Sequence, residues 1–286
     1  MTTNYADSHV LVSTDWVDHH KTDRTLRLVE VDVDTTSYER GHIPGAIAWN
    51  WQSQLCDNIR RDILTKDGFE KLMAASGITP KTTVILYGDN NNWFACYAFW
   101  QLKLYGHKDV RLMNGGRKLW LSQNRPVTMD VPQVFPAKYD AKDADLSLRA
   151  FRNNILQAVI DGKTNLVDVR SPDEYSGKVI APPGMTETAQ RGGHIPHAIN
   201  VPWSQAVKED GTFKDRTDLG TLYSAKGLSP ETDTIAYCRI GERSAHTWFV
   251  LKYLLGLPNV KNYDGSWTEW GNLVDAPIVK GDQPDS

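Results

Sequence analysis

Residues 84–115 can be laid on residues 234–265 without a gap, at a constant offset of 150. Tyr87 falls on Tyr237, Ala95 on Ala245, Gly106 on Gly256, Val110 on Val260 and Gly115 on Gly265. Upstream, Leu28-Val29-Glu30-Val31-Asp32 recurs as Leu166-Val167-Asp168-Val169-Arg170, and the turn Gly41-His42-Ile43-Pro44 recurs as Gly193-His194-Ile195-Pro196. Two copies, each far longer than a solenoid repeat, describe a duplicated domain. Any fold for this chain must therefore be one that each half can adopt.

Within the first copy, Ser13-Thr14-Asp15-Trp16-Val17 reads as a helix entry and Leu28–Asp32 as a strand. A helix beginning at Asp67 stops at Gly77, Thr83–Tyr87 is a buried-type strand, the apolar stretch Trp93–Leu104 is a helix ended by Gly106, and Val110–Met113 is a strand. Strands alternating with helices predict a parallel sheet flanked by helices, hence an α/β class for both halves. Between about Gln123 and Leu146 the periodicity fades and Pro126, Pro132 and Pro136 punctuate the chain, as in an interdomain linker. The expected boundaries are a first domain over 1–122, a linker over 123–146 and a second domain over 147–286.

Composition narrows the partners. A net charge of −3 argues against nucleic acid or an anionic membrane surface, and no apolar run approaches the length of a membrane span. The start, Met1 to Asp7, has neither the basic nor the apolar segment of a leader, so a cytoplasmic protein is expected. Cys56, Cys96 and Cys238 are odd in number and lack metal-ligand spacing, which predicts neither a disulfide framework nor a metal site.

One of those cysteines is unusually placed. Cys238 follows the β-branched run ending Thr234-Ile235-Ala236-Tyr237 and precedes a helix expected from Ser244. Loop amides and the positive end of the helix would gather around one sulfur, and Arg239 and Arg243 add charge. These effects favour thiolate, so Cys238 is expected to be partly ionised at neutral pH and nucleophilic. The ordinary alternative, a small buried hydrophobe, does not explain Gly241 and the paired arginines. In the first copy Gly88 falls on Cys238 and Asn91 on Gly241, so that half keeps the loop without the nucleophile.

The pattern Cys-Arg-x-Gly-x-Arg after a strand resembles the active-site loop of rhodanese sulfurtransferases, in the form of their thiosulfate-using branch. A cysteine phosphatase loop, the nearest rival, places five residues between Cys and Arg; here there are four, a ring better suited to one sulfur than to a phosphoryl group. Tandem domains with an inactive first half, Gly-His-Ile-Pro in both halves and Tyr263-Asp264-Gly265-Ser266-Trp267 near the end extend the resemblance over nearly all of residues 9–275. It implies two rhodanese-like domains and a Cys238 persulfide, loaded from thiosulfate and unloaded onto cyanide or a thiol. It also implies a cradle of amides from Ile240, Gly241, Glu242 and Ser244, and no cofactor or metal. A 3-mercaptopyruvate sulfurtransferase is the near alternative, although such loops usually have a small residue where Arg239 stands. A sulfur-carrier or sensor module loaded by a partner is the distant one.

Other expectations attach to single residues. Arg243 and Arg239 would meet the donor's oxyanions, with Arg191 a third contact, because the second copy inserts a loop through Pro182-Pro183-Gly184 to Gln190-Arg191. A basic position that the family places beside an aromatic appears here as Glu174-Tyr175. Trp93, Phe94 and Trp267 would wall the cleft, against a reading as ordinary core. His42 and His194, present in both copies, are expected to fix a turn by donating to backbone rather than to act as bases. His246 is expected to be packed or solvated; Lys178, Glu242, Arg60 and Arg61 default to solvated charges.

Overall fold

The computed structural model describes residues 4–184 and 189–285. In the first half the elements are β1 (Leu11–Val12), α1 (Thr14–His20), β2 (Leu26–Asp32), α2 (Thr36–Arg40), β3 (Ile47–Asn50) and α3 (Trp51–Gln54). A short hairpin of β4 (Cys56–Asp57) and β5 (Asp62–Ile63) leads to α4 (Lys66–Ala75), β6 (Thr83–Tyr87), α5 (Trp93–Leu104), β7 (Val110–Met113) and α6 (Gly116–Ser122). The second half comprises α7 (Arg152–Asp161), β8 (Asn165–Asp168), α8 (Pro172–Ser176), β9 (Ile199–Asn200) and α9 (Arg216–Ser224). It ends with β10 (Thr234–Tyr237), α10 (Glu242–Phe249), β11 (Val260–Tyr263) and α11 (Ser266–Trp270).

Both main sheets are parallel, in the orders β1-β7-β6-β2-β3 and β11-β10-β8-β9. The duplication extends to register: Val84 pairs with Val110 in one sheet and Thr234 with Val260 in the other. The central strands are apolar on both faces because helices cover both, as parallel sheets require.

By compactness the chain forms two units. One contains residues 9–145 with the excursion Lys208–Phe213, and the other contains 1–8, 146–207 and 214–286. Residues 123–145 carry no helix or strand, but they are pinned to the first unit: His42 and Thr128 exchange backbone hydrogen bonds, and Ala137 and Asp145 donate to Ala74 and Leu104.

The repeated Gly-His-Ile-Pro turns are built alike. His42 stacks on Tyr38 and His194 on Tyr175, each with ring centroids 3.7 Å apart, and each His Nδ1 lies 2.9 Å from the carbonyl of its tyrosine. Both histidines are fully buried and fix the turn, as expected from their presence in both halves. The turn is then tied to the strand that ends at the loop: Ile43 N–H donates to Tyr87 Oη, and Ile195 N–H to Tyr237 Oη.

A buried ion pair beneath each turn is built from opposite positions. In the first half Arg117 binds Glu30 at 2.8 Å. In the second, Asp168 stands for Glu30, Trp267 stands for Arg117, and the guanidinium comes instead from Arg170, the counterpart of Asp32. Arg170 also donates to Gly193 O at 2.7 Å and lies 4.4 Å from the Trp267 ring. The swap leaves Asp32 with no cation of its own; Oδ2 has no partner, and burial together with Asp89 pushes its carboxyl up to about 8.

Candidate active site

The end of β10 turns sharply into α10 through residues 238–241. Gly241 makes the turn at φ 105°, where side chains are disfavoured, and an added Cβ would lie 2.9 Å from Asp264 Cα. The helix starts at Glu242, two residues earlier than the sequence suggested, so the loop is shorter and tighter than expected.

The loop's carbonyls are held from outside. Trp267 N–H donates to Cys238 O, and Thr268 N–H and Oγ1 both donate to Arg239 O, each at 3.0 Å. Gly241 O accepts from Ser244 Oγ at 3.1 Å and Asn262 Nδ2 at 3.2 Å, and those two side chains bond each other at 2.6 Å. With these carbonyls drawn off, an amide of the loop turns inward: Gly241 N–H lies 3.1 Å from Cys238 Sγ. Ser244, at the start of α10, favours the ionised sulfur. Ser266, itself at φ 52°, accepts from Cys238 N–H at 3.1 Å, with its Oγ 4.0 Å from Sγ. Ile240 is buried in the same loop.

Burial and a neighbouring carboxylate work against the expected thiolate. Cys238 is fully buried, and its thiol is pushed above the usual cysteine range, first by burial and then by the Glu242 carboxylate. Arg243 and the Ser244 hydrogen bonds act the other way and are outweighed. The reason lies in two carboxylates. Glu174 takes the Arg243 fork, with Nη1 and Nη2 at 2.9 and 3.0 Å from its two oxygens, both side chains buried. Glu242, far from being solvated, is 1% exposed with Oε2 3.5 Å from Sγ. Arg243 therefore does not present its fork to a donor; its charge reaches the sulfur through the loop.

Arg191 departs furthest from its expected role. Its guanidinium donates to the carbonyls of Gly271, Ala276, Trp270 and Leu273, at 2.5 to 3.2 Å. It clamps the end of α11 and the irregular chain that follows it. Trp267 is core, 1% exposed, with its indole N–H spent on Arg191 O at 3.0 Å. Phe94 packs on Trp51 at 5.3 Å between ring centroids within the first unit, and Trp93 is half-buried at the start of α5. Arg239 is buried, its backbone held as described. His246 is packed edge-on to Trp203 and kept neutral by burial, its pKa pulled down to about 3. Arg60 and Lys178 are exposed partners of Asp57 and Asp282, and Arg61 is exposed. Part of the inserted loop, residues 185–188, lies outside the described residues.

The corresponding loop of the first unit is closed to this chemistry. Asn90, Asn91 and Asn92 all have positive φ, and Asn92 fills the loop interior, accepting from Gly88 N–H at 3.0 Å and donating to Met113 O at 2.8 Å. A Cβ on Gly88 would lie 2.4 Å from Val31 O.

Sequence reasoning did not single out Glu174 as the partner of Arg243, nor Ser266 and Asn262 as supports of the loop. Ser266 was visible only within the Asp-Gly-Ser-Trp run. All three cysteines are unbridged, and no helix among the described residues is long and apolar enough to cross a membrane.

Comparison with known proteins places this geometry in a family. The family profile for the rhodanese-like domain matches twice, over residues 13–123 and 153–273. A Saccharopolyspora erythraea protein provisionally named a thiosulfate sulfurtransferase is 57% identical over 94% of this chain and 95% of its own. A Haloferax volcanii protein with the same provisional name is 54% identical over 95% and 96%. The sulfur carrier protein TtuD of Thermus thermophilus is 53% identical over 98% and 99%. Among solved structures, the anaerobic ergothioneine biosynthesis enzyme of Chlorobium limicola shares the fold, with a TM-score of 0.85 at 24% identity, over 97% of this chain and 71% of that one. The chain belongs to the rhodanese family, as two rhodanese-like domains in tandem.

Proposed function

We propose that this chain is a thiosulfate sulfurtransferase that works through a persulfide on Cys238. The observation that carries the reading is the Gly241 N–H held 3.1 Å from Sγ in a loop where the carbonyls of Cys238, Arg239 and Gly241 are tied elsewhere. Such a cradle stabilises negative charge on sulfur without a cofactor. In the first half-reaction the Cys238 thiolate attacks the sulfane sulfur of thiosulfate; a new S–S bond forms and the old one breaks, its electron pair leaving with sulfite. In the second, cyanide or a thiolate takes the outer sulfur and Cys238 departs as thiolate. Arg239 and Arg243 favour the doubly charged donor over a singly charged carboxylate such as mercaptopyruvate, Arg243 through its field rather than by a direct fork. The substrates are small molecules, and a cytoplasmic setting keeps the resting Cys238 thiol from oxidation.

A second reading, a carrier loaded and unloaded by partner proteins, is favoured by the name of the Thermus relative. Thiocyanate formation from thiosulfate and cyanide, with no other protein present, separates the two. Sustained turnover with double-displacement kinetics supports the enzyme; a single loading with no turnover supports the carrier. A higher kcat/KM for mercaptopyruvate than for thiosulfate would overturn the donor assignment.

A further inference from the structure

A carboxylate in van der Waals reach of the proposed nucleophile needs an explanation, because it opposes the thiolate that the chemistry requires. Glu242 is 1% exposed, and its Oε2 lies 3.5 Å from Cys238 Sγ in hydrogen-bonding geometry with the thiol as donor. It is not required as the counter-ion of Arg243. That guanidinium is held by Glu174 at 2.9 and 3.0 Å, and its Nε is 3.7 Å from Glu242 Oε1. Nor is the inward aim of the side chain an accident of this loop. The counterpart in the first half, Asn92, also turns its side chain beneath the loop, where it bonds Gly88 and Met113. The position faces inward in both halves. In the half with the cysteine it carries a group able to accept a proton, and in the half without one it carries an amide that cannot.

We propose that Glu242 is the general base of the site, taking the Cys238 thiol proton on Oε2 as the sulfur attacks its donor and returning it when the acceptor releases the cysteine. The assignment of thiosulfate as donor rests on the reading above; the proton transfer does not. The step balances without any further reactant. The S–H bond breaks and an O–H bond forms; the sulfur lone pair makes the new S–S bond; sulfite leaves with the pair of the old one. After attack by the acceptor, the Cys238 thiolate recovers the proton from the neutral carboxyl. Net charge within the cradle is the same before and after proton transfer, which matters in a site this buried, since moving the charge out would cost far more than moving it across one hydrogen bond. It also explains how a thiol held above the usual cysteine range can still supply a nucleophile.

Among the described residues, the charged and titratable groups around Glu242 lie on α8, on α10, in the loop and before α11. On α10 they are Arg243, neutralised by Glu174 of α8, and the neutral His246. In the loop there is Arg239. Before α11 there is Asp264, which is bonded by Arg149 at 2.8 Å. The Ser266 hydroxyl is engaged with Tyr263 O and Cys238 N–H.

The test compares the parent with Glu242→Gln, which keeps the shape and loses the base. Two rates are followed from pH 6 to pH 9: alkylation of Cys238 by iodoacetamide, read on the Cys238 peptide by mass spectrometry, and sulfite release in a single turnover with thiosulfate. With an internal base, both rates in the parent are nearly independent of pH across this range. In Glu242→Gln the thiol titrates at a lower pH than in the parent, but its proton must leave to solvent. Both rates then rise with pH, roughly tenfold per unit below the midpoint. At pH 6 the variant is slower on the order of a hundredfold, converging on the parent near pH 9. Glu242→Asp, which retains the base one methylene further away, gives an intermediate rate with the flat profile of the parent, and it serves if the Gln variant does not fold. Coincident alkylation profiles in parent and Gln variant, or a variant faster at pH 6, overturn the assignment whatever the donor proves to be. Profiles that differ as described, in a protein that releases no sulfite, leave Glu242 as the base and remove thiosulfate instead.

Discussion

Glu174→Gln is the most informative single perturbation of the scaffold, because it removes one charge and little else. Glu174 and Arg243 are both buried and meet through a two-point fork. Burial alone would push the Glu174 carboxyl up, but the Arg243 hydrogen bonds and charge outweigh it and hold the group below its ordinary value. Glutamine can still accept from Ser171 N–H and so keep the capping box that starts α8. What is lost is the neutralisation of a buried guanidinium, and breaking such a pair from one side costs about 3–5 kcal/mol. Spread over the second unit, this should lower its melting midpoint by roughly 10 °C. The pH dependence follows from the depressed carboxyl. Its stabilisation is complete above the ordinary glutamate range, about pH 4.3, and fades as pH falls through the lower folded value, so parent and variant should converge in acid. At neutral pH the unneutralised Arg243 should draw the Cys238 thiol downward, raising its alkylation rate above that of the parent. The assay is denaturant unfolding at several pH values, alongside alkylation. A variant within about 1 kcal/mol of the parent at pH 7, or one whose deficit persists unchanged in acid, would refute the pairing argument.

Two further substitutions test the remaining assignments. Gly88→Cys, which restores a cysteine to the first loop, should give no second active site and should lower stability, because its Cβ would meet Val31 O at 2.4 Å and Asn92 fills the cradle; sulfur loading at residue 88 would show that the loop is more plastic than drawn. Arg191→Ala should lower the melting midpoint of the second unit by freeing four carbonyls while leaving the KM for thiosulfate within about twofold, and a large rise in KM in a fully stable variant would return Arg191 to the donor site.

The duplication made the scaffold readable. Strands Thr83–Tyr87 and Thr234–Tyr237 begin and end where their runs of β-branched and apolar residues do, because parallel strands covered on both faces leave a continuous apolar signal. The shared histidines were legible for a related reason: a residue kept where there is no cysteine to serve is tied to the turn. The partners of the charged residues were not. Nothing local says that Arg243 spends its fork on Glu174, since the two meet only when α8 and α10 pack. The same holds for Arg191, whose acceptors are the last carbonyl of α11 and three in the irregular segment after it. The expectation of a thiolate was formed across this gap: it counted two arginines as free charge and Glu242 as solvated, whereas Glu174 takes the Arg243 fork and Glu242 is buried beside the sulfur. Trp267 was misplaced by the swap of Arg117 and Arg170 between halves, which a linear alignment displays only as two unmatched positions.

The most direct measurement is the mass of the Cys238 peptide after the purified protein meets thiosulfate. The account predicts a gain of one sulfur on that peptide, removed by cyanide with release of thiocyanate, retained in Cys56→Ser and Cys96→Ser, and abolished together with turnover in Cys238→Ser. Sulfur carried on Cys56 or Cys96, or sulfur transfer surviving in Cys238→Ser, would contradict it.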